Sequence, residues 1–368
     1  MYNVDIDKLQ LRVFDWIRFP LIICIVFLHS TPGYIVGPDA DEASVIGLEV
    51  NFDSFFIYTK ILLQEVLTKF AVPGFFFISG YLFFYSNKKF DFSIYKYKLS
   101  RRIQSLLLPY LIWNTIAISY PISLYFFRNV SLPNNIVDWL LYYWDADDIY
   151  NLPINYPLWY IRDLMVATLL SPIIYFLCYR GGWLFIIILT GAYVSKLCPS
   201  YIGFGNYVSY FFTLGAFLSI KGYNILKVFG KIEYVNYLFT LALLCLRMVC
   251  YGKHQELFSS ALPFYCVSSL ITIFNLSGHV FKQVSEKAAL FMDYLKERVF
   301  FIYVTHTLVF IIIFDIIVKK ITMNIPNIFL FLIYLIMPFI KIFICILIFN
   351  YLKKTTPKLL QILNGGKL

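Results

Sequence analysis

The first long apolar stretch of the chain, residues 15–30, carries three side chains that can ionise: Asp15, Arg18 and His29. In an α-helix, Arg18 and His29 would point within about 20° of each other and lie about 16 Å apart along the axis. Asp15 precedes Arg18 by three residues, within reach of an ion pair. A neutral imidazole can take a proton from a hydroxyl, and an arginine can bind a phosphate through two parallel hydrogen bonds. This helix face therefore offers a base and an anion-binding group.

Both residues also have plainer interpretations. Arg18 could extend to the cytoplasmic interface of a membrane, and His29 could hydrogen-bond a neighbouring helix. Their alignment on one face favours a shared task. An acyl-CoA carries phosphates at one end and a thioester at the other, so its pantetheine arm would fit along the helix between Arg18 and His29.

The composition determines the class of protein that must position these groups. Of the 368 residues, 60% are hydrophobic, 20% are aromatic and 14% are charged, with a mean hydropathy of +0.73. Soluble domains average about 45–50% apolar and about 25% charged residues. We therefore expect an all-α polytopic membrane protein. The net charge of +10 is explained by Lys and Arg in cytoplasmic loops, and no nucleic-acid partner is expected.

A helix needs about 20 mainly apolar residues to cross a bilayer. The chain offers about ten such segments: 13–33, 67–86, 103–127, 157–177, 182–197, 206–221, 234–252, 259–277, 298–318 and 327–352. With both termini on the cytoplasmic side, 21 of the 31 Lys and Arg residues fall in cytoplasmic segments, as the positive-inside rule requires. The sequence therefore predicts one multi-pass domain, 1–368, in the cell inner (plasma) membrane.

Two predicted external segments are long. Residues 34–66 include an amphipathic stretch expected to lie along the outer surface before the second span. Residues 129–156 combine Trp and Tyr with several Asp residues. This second segment could contact lipid headgroups or bind an acceptor molecule.

Other polar residues lie at predicted membrane depth, where ionisable groups are costly and are therefore candidates for function. Ser79 and the glycine after it could permit close helix packing or contact an acyl group. Trp159 could belong to an interfacial aromatic belt or stack on a sugar. Arg162 could extend to the outer interface or bind an acceptor. His306 could line a pore or bond another helix. The four His residues are dispersed and no H-E-x-x-H motif occurs, so no metal site is expected.

The spacing Arg-x10-His in a first span resembles the signature of the membrane acyltransferase-3 family. Four further stretches are similar to family motifs and follow in family order: VPGFFFISGYLF (72–83), KLSRRIQSLLLPY (98–110), PLWYIRDLMVATLLSPIIY (157–175) and FIYVTHTLVF (301–310). The five matches run from residue 12 to about residue 310. The resemblance implies a ten-helix protein that moves acyl groups, usually acetyl from acetyl-CoA, onto sugar hydroxyls.

The resemblance also implies roles for individual residues. Arg18 and His29 match the family's essential pair, with His29 as the base or as a group that relays the acyl. Lys98 and Arg101 match an Arg-x-x-Arg pattern with Lys in the first place, which keeps the charge but loses a bidentate donor. Together with Arg102 they would hold the CoA phosphates at the cytoplasmic side. These three cations could equally reflect the positive-inside rule alone.

The predicted function is that of an inner-membrane O-acetyltransferase. It would use acetyl-CoA or another acyl-CoA as co-substrate, and its acceptor would be a hydroxyl of a cell-surface glycan or of a lipid-linked glycan precursor. Asp15 would orient Arg18, and Ser79, Trp159, Arg162 and His306 would support the site. The partners are the donor, the acceptor and the lipid bilayer, and nothing in the sequence indicates an oligomeric state. The alternative is a transporter or flippase of a lipid-linked glycan, which would explain the spans and the buried charges without chemistry.

Overall fold

The computed structural model describes residues 5–30, 52–85, 90–128, 132–146, 152–198, 200–308 and 326–366. Within these ranges the chain is helical, and its β pairing is confined to one isolated bridge between Tyr201 and Phe204. The α-helices, renumbered consecutively, are α1 Ile6–Trp16, α2 Arg18–Leu28, α3 Phe52–Lys60, α4 Ala71–Phe84, α5 Phe92–Arg102, α6 Leu108–Arg128, α7 Ile136–Leu141, α8 Trp159–Leu169, α9 Ser171–Val194, α10 Thr213–Ile220, α11 Ile225–Gly230, α12 Glu233–Cys250, α13 Gln255–Lys282, α14 Glu286–Lys296, α15 Val299–Thr305, α16 Asn327–Thr355 and α17 Pro357–Leu363.

Six helical segments in the described part of the chain are long and apolar enough to cross a membrane. They are Ser54–Phe84, Phe92–Ile122, Ser171–Val194, Glu233–Cys250, Gln255–Lys282 and Asn327–Thr355. These segments consist mainly of apolar residues, and many apolar side chains on α9, α12 and α16 are exposed. Both features are typical of a helical membrane protein. The prediction of an all-α membrane protein is confirmed at this level. The count of ten spans and the cytoplasmic location of both termini stay predictions.

The first predicted span, 13–33, corresponds to two short helices that meet at Ile17. Pro20 has no N–H to donate to the carbonyl of Trp16, and this explains the local interruption. The hydrogen bonds from Ile17 N–H to Val13 and from Leu21 N–H to Ile17 carry the helical pattern across the junction. The helix ends at Leu28, with His29 as its C-cap, which is earlier than predicted. Residues 31–33 lie outside the described ranges.

The second predicted span is longer than expected. Residues 52–84 form a continuous helical run in which α3 passes into a π-helical segment, Ile61–Val66, a 3-10 turn, Leu67–Phe70, and then α4. The amphipathic stretch that we expected along the outer surface, FDSFFIYTKILLQEVLTKF (52–70), is therefore part of this helical run. Residues 34–51 of the same predicted external segment lie outside the described residues.

The fourth and fifth predicted spans meet at a break in α9. Gly182 has φ 55° and ψ −142°, a non-helical conformation that suits glycine. The break therefore falls where the predicted spans 157–177 and 182–197 divide. Of the ninth predicted span, 298–318, the described part ends at residue 308.

Helices α4 and α10 approach unusually closely because each has a glycine at the contact. A Cβ at Gly80 would lie 2.0 Å from the carbonyl oxygen of Phe212, and one at Gly215 would lie 2.1 Å from that of Phe77. Small residues at helix interfaces let backbones approach in membrane proteins. Gly80 thus has the packing role considered for its motif, and its neighbour Ser79 is turned toward a different surface of α4.

Candidate active site

A cavity of about 540 Å³ lies between α2, α4, α8 and α15. Helix α4 runs antiparallel to α2: Gln10 of α1 donates to the Tyr81 hydroxyl at one end, and Gln64 donates to the Phe27 carbonyl at the other. The predicted site residues that line this cavity are Asp15, Arg18, His29, Ser79, Arg102 and Trp159.

The cavity extends along the helices. Four side chains of α4 line it at intervals of three, four and three residues, from Val72 to Leu82, which corresponds to one helix face about 15 Å long. This length equals the rise of α2 between Arg18 and His29, about 16 Å. The predicted face of α2 therefore faces a single continuous cavity.

Charged residues surround the end of the cavity at Arg18. The Arg18 guanidinium lies 3.5 Å from the Asp15 carboxylate. Lys296, at the end of α14, lies 3.7 Å from Asp15 and 2.9 Å from Asp293. Hydrogen bonds donated by Lys296 and by the Trp16 indole lower the pKa of Asp293, and Asp293 raises the pKa of Lys296. Asp15 is thus shared by two cations that line the same cavity.

Basic residues of α5 divide into two groups. Arg102 lines the cavity, whereas Arg101 is exposed and does not. The Lys98 amino group donates to the Phe83 carbonyl, and Lys98 and Arg102 both lie over the Phe83 ring, at 4.8 and 5.6 Å. Residues four apart share a helix face and adjacent residues do not. The predicted group of three phosphate-binding cations is therefore not assembled, and Arg102 is the member that reaches the cavity.

The opposite end of the cavity is formed by His29 and aromatic rings. The His29 ring centroid lies 4.9 Å from that of Tyr156 and 5.6 Å from that of His306. The His306 Nδ1–H donates to the Tyr303 carbonyl at 2.8 Å, which leaves Nε2 as the acceptor nitrogen. His306 is buried behind His29 and does not line the cavity. The structure thus brings the two histidines together. The hydrogen bonds of His306 go to the Ile302 and Tyr303 carbonyls of its own helix, and not to another helix, which was one of its two interpretations.

A tyrosine that we did not predict lies in the middle of the cavity. The Tyr160 hydroxyl is 2.8 Å from Ser79 Oγ and 3.3 Å from the Phe75 carbonyl oxygen. A hydroxyl donates one proton, so Tyr160 donates to Phe75 while Ser79 donates to Tyr160. Ser79 therefore contributes a polar group to the wall between the two ends, next to Trp159.

Arg162 lies away from the cavity in a separate buried cluster. Its guanidinium contacts the Asp163 carboxylate at 3.2 Å and donates to the Trp144 carbonyl at 2.6 Å. Asp163 in turn accepts from the Gly205 N–H at 3.1 Å. The Arg162 and Asp163 side chains are 5% and 3% exposed, so the interpretation as interfacial residues does not hold. They attach Trp144 and Gly205 to α8.

Comparison with known families and proteins gives this geometry a context. The sequence model of the acyltransferase-3 family, described as an acyltransferase domain, matches residues 11–349. The chain belongs to this family. The match confirms the predicted family and the enzyme class, an acyltransferase with membrane-spanning helices.

A curated relative is the succinoglycan biosynthesis protein ExoH of Rhizobium meliloti (strain 1021), 31% identical over 174 residues. The matched stretch covers 46% of this chain and 45% of that protein, so the chain spans less than half the length of the relative it matches. No solved structure matches the chain.

Five polar lining residues escaped sequence reasoning: Tyr160, Lys296, Glu297, Tyr303 and Asn364. Tyr160 adjoins Trp159 inside a motif that we had noted, so the signal for it was present. Lys296 precedes α15 in the sequence, and Asn364 follows α16 and α17. Only the packing of these distant segments brings the two residues to the Arg18 end of the cavity. Among the described residues, no three His, Cys, Asp or Glu side chains form a group that could hold a metal ion.

Proposed function

We propose that the chain is an inner-membrane O-acyltransferase that transfers acetyl, or another short acyl group, from cytoplasmic acyl-CoA to a hydroxyl of a cell-surface glycan or its lipid-linked precursor. One observation carries the proposal. A single cavity has Arg18, Arg102 and Lys296 around one end and His29 at the other, about 16 Å along α2.

The charged end suits the phosphates of CoA. Arginine binds phosphate through paired hydrogen bonds and lysine as a point charge. Asp15, between Arg18 and Lys296, holds the two cations toward the cavity. Lys98 and Arg101 add positive charge near this end without lining it, and would attract the anionic donor over a distance.

The length of the cavity suits the rest of the donor. With the phosphates at Arg18, the pantetheine arm would follow the faces of α2 and α4 that line the cavity. Its amide groups would pass the Ser79 and Tyr160 hydroxyls, which offer hydrogen-bonding partners in an otherwise apolar wall. The thioester would then lie near His29.

At that end His29 would act as general base. It takes the proton of the acceptor hydroxyl as the hydroxyl oxygen attacks the thioester carbonyl carbon. The C–S bond then breaks, an ester forms, and the CoA thiolate takes the proton back from His29. His306 and Tyr156, which contact the His29 ring, would fix its orientation. In the alternative course, the His29 nitrogen attacks the thioester carbon, the CoA thiolate leaves, and the acceptor hydroxyl then takes the acyl group from His29. Rapid quenching and peptide mass spectrometry would detect that acyl-His29 intermediate.

The proposal includes a topology of ten membrane-spanning helices with both termini in the cytoplasm. Under this topology the Arg18 end of the cavity faces the cytoplasm, where acyl-CoA is made, and His29 lies deeper in the membrane. One domain, 1–368, would contain the whole site. The name of the relative refers to succinoglycan biosynthesis, which supports a glycan as the acceptor.

The test is a comparison of surface glycans from host cells with and without this chain, by mass spectrometry. We expect O-acyl groups that are lost with the chain and restored by its expression. A transporter or flippase of lipid-linked glycan, the alternative function, would instead change the amount of surface glycan and leave its acylation unchanged. That second result would contradict the proposal.

A further inference from the structure

The segment 357–366 contributes to the cavity although it lies beyond the residues that the family model matches, 11–349. It comprises α17 and the turn that follows. Asn364, in that turn, is buried and lines the cavity together with Arg18, Arg102 and Lys296. The wall of the charged end is therefore completed by residues outside the family's common part.

The segment is firmly attached. Leu360 and Leu363 are buried in the main hydrophobic core, and α17 packs against α16 and α6. The Trp113 indole donates to the Leu363 carbonyl at 3.0 Å. This bond fixes the backbone one residue before Asn364, so the position of the Asn364 side chain is set by packing on α6.

Two further contacts tie the segment to the chain regions that carry the cations. Gly365 has φ +70°, and a Cβ there would lie 2.8 Å from the Ser105 carbonyl oxygen, one turn beyond Arg102. The Asn364 amide donates to the Glu297 carbonyl at 3.3 Å, next to Lys296. Asn364 thus lies between the part of the charged end that Arg102 contributes and the part that Lys296 contributes.

We propose that Asn364 is a donor-binding residue that contacts the nucleotide end of acyl-CoA. The proposal rests on the proposed function and adds a residue to its site. The cations beside Asn364 attract phosphates, and a primary amide both donates and accepts hydrogen bonds. The amide is uncharged, so it adds no electrostatic repulsion beside the cations. Its N–H group can donate hydrogen bonds to adenosine and phosphate oxygens of CoA. The nucleotide end of CoA is therefore its partner, and the pantetheine arm and acyl group lie farther along the cavity.

The test uses the purified full chain in detergent and the substitution Asn364→Leu, which keeps the branched shape of the side chain but removes the hydrogen-bonding groups. Gln361→Leu is the matched control, because Gln361 is exposed one turn earlier on the same segment. Equilibrium binding is measured with CoA and with adenosine bisphosphate, which is its nucleotide end. Pantetheine is tested as an inhibitor of transfer, and kcat and KM are measured with acetyl-CoA.

In Asn364→Leu we expect Kd for CoA and for adenosine bisphosphate, and KM for acetyl-CoA, to rise roughly tenfold, as for a lost polar contact that leaves its partner unpaired. Inhibition by pantetheine and kcat should stay within about twofold of wild type, and Gln361→Leu should behave as wild type. Should Asn364→Leu fail to fold, Asn364→Ser replaces it with the same expected pattern.

Unchanged Kd values for both nucleotide probes in a folded Asn364 variant would overturn the inference. Equal weakening of pantetheine would also overturn it, because that result indicates general distortion of the cavity. If the wild-type chain binds neither CoA nor adenosine bisphosphate, the proposed function fails first and the inference with it. The wild-type measurement therefore separates the two failures.

Discussion

Arg18 and Arg162 each lie beside an aspartate, yet their surroundings differ. Arg162 is buried, with its guanidinium on Asp163 at 3.2 Å, on the Trp144 carbonyl at 2.6 Å and 5.5 Å from the centroid of the Trp144 ring. Arg18 lines the cavity, and its ion pair within the described part of the chain is with Asp15 at 3.5 Å, with both side chains partly exposed.

This difference in surroundings indicates that Arg162 stabilises the fold, whereas Arg18 can bind a ligand. The donors of Arg162 are directed at protein oxygens, and removal of its charge would leave Asp163 buried without its counter-ion. Arg18 lines an open volume together with two other cations, Arg102 and Lys296. Both residues are arginines with an aspartate within three positions in the sequence, so the surroundings determine the role.

The largest expected change in stability comes from Arg162→Leu. Breaking a buried ion pair by removing one partner costs about 3–5 kcal/mol, because the other charge stays buried. The measurement is unfolding of the detergent-purified protein by heat or denaturant. In the double variant with Asp163→Asn, part of this loss should be recovered. A melting temperature equal to wild type for Arg162→Leu would remove the distinction between the two arginines.

Arg18→Ala should have the opposite profile. We expect kcat/KM for acetyl-CoA to fall about 100-fold, which corresponds to about 2.7 kcal/mol, through loss of paired hydrogen bonds to phosphate. Stability should change by less than about 1 kcal/mol, since the pair with Asp15 is partly exposed. Arg18→Lys should recover part of the activity, because it keeps the charge but not the fork. A marked loss of stability in Arg18→Ala, together with normal donor affinity of the folded protein, would make Arg18 structural.

The smallest effect should come from Arg101→Ala. This side chain is exposed and does not line the cavity, so kcat/KM should stay within about twofold of wild type at physiological salt. Arg102→Ala, its matched neighbour, should lower kcat/KM about tenfold. Equal losses in the two variants would indicate that both bind the donor and that the face of α5 is assigned incorrectly.

The parts of the site that follow from local geometry were predictable. Arg18 and His29 face one cavity because α2 is unbroken between them, and Asp15 reaches Arg18 because the hydrogen-bond pattern continues across Ile17. Four-residue spacing would also have separated Arg101 from Lys98 and Arg102. Lys296 and Asn364 were not predictable, since they reach Arg18 through packing between segments far apart in the sequence.

The fold also has parts that the sequence predicted and parts that it did not. Apolar segments identified a helical membrane protein, and Gly182 marks the boundary between two predicted spans. The continuity of residues 52–84 was not visible, because the π-helical and 3-10 turns at Ile61–Phe70 accommodate polar residues that resembled a surface segment. Burial of Arg162 was missed for a related reason: its partners, Trp144 and Asp163, include a residue from a distant loop.

The central claim is that one cavity binds the donor at Arg18 and performs chemistry at His29. It is tested most directly by measuring acetyl-CoA binding and single-turnover acetyl transfer by purified, stably inserted His29→Ala, beside Arg18→Ala. The account predicts that His29→Ala binds acetyl-CoA within about twofold of wild type while transfer falls at least about 100-fold, as for loss of a general base, and that Arg18→Ala loses binding. Full transfer by His29→Ala would contradict it.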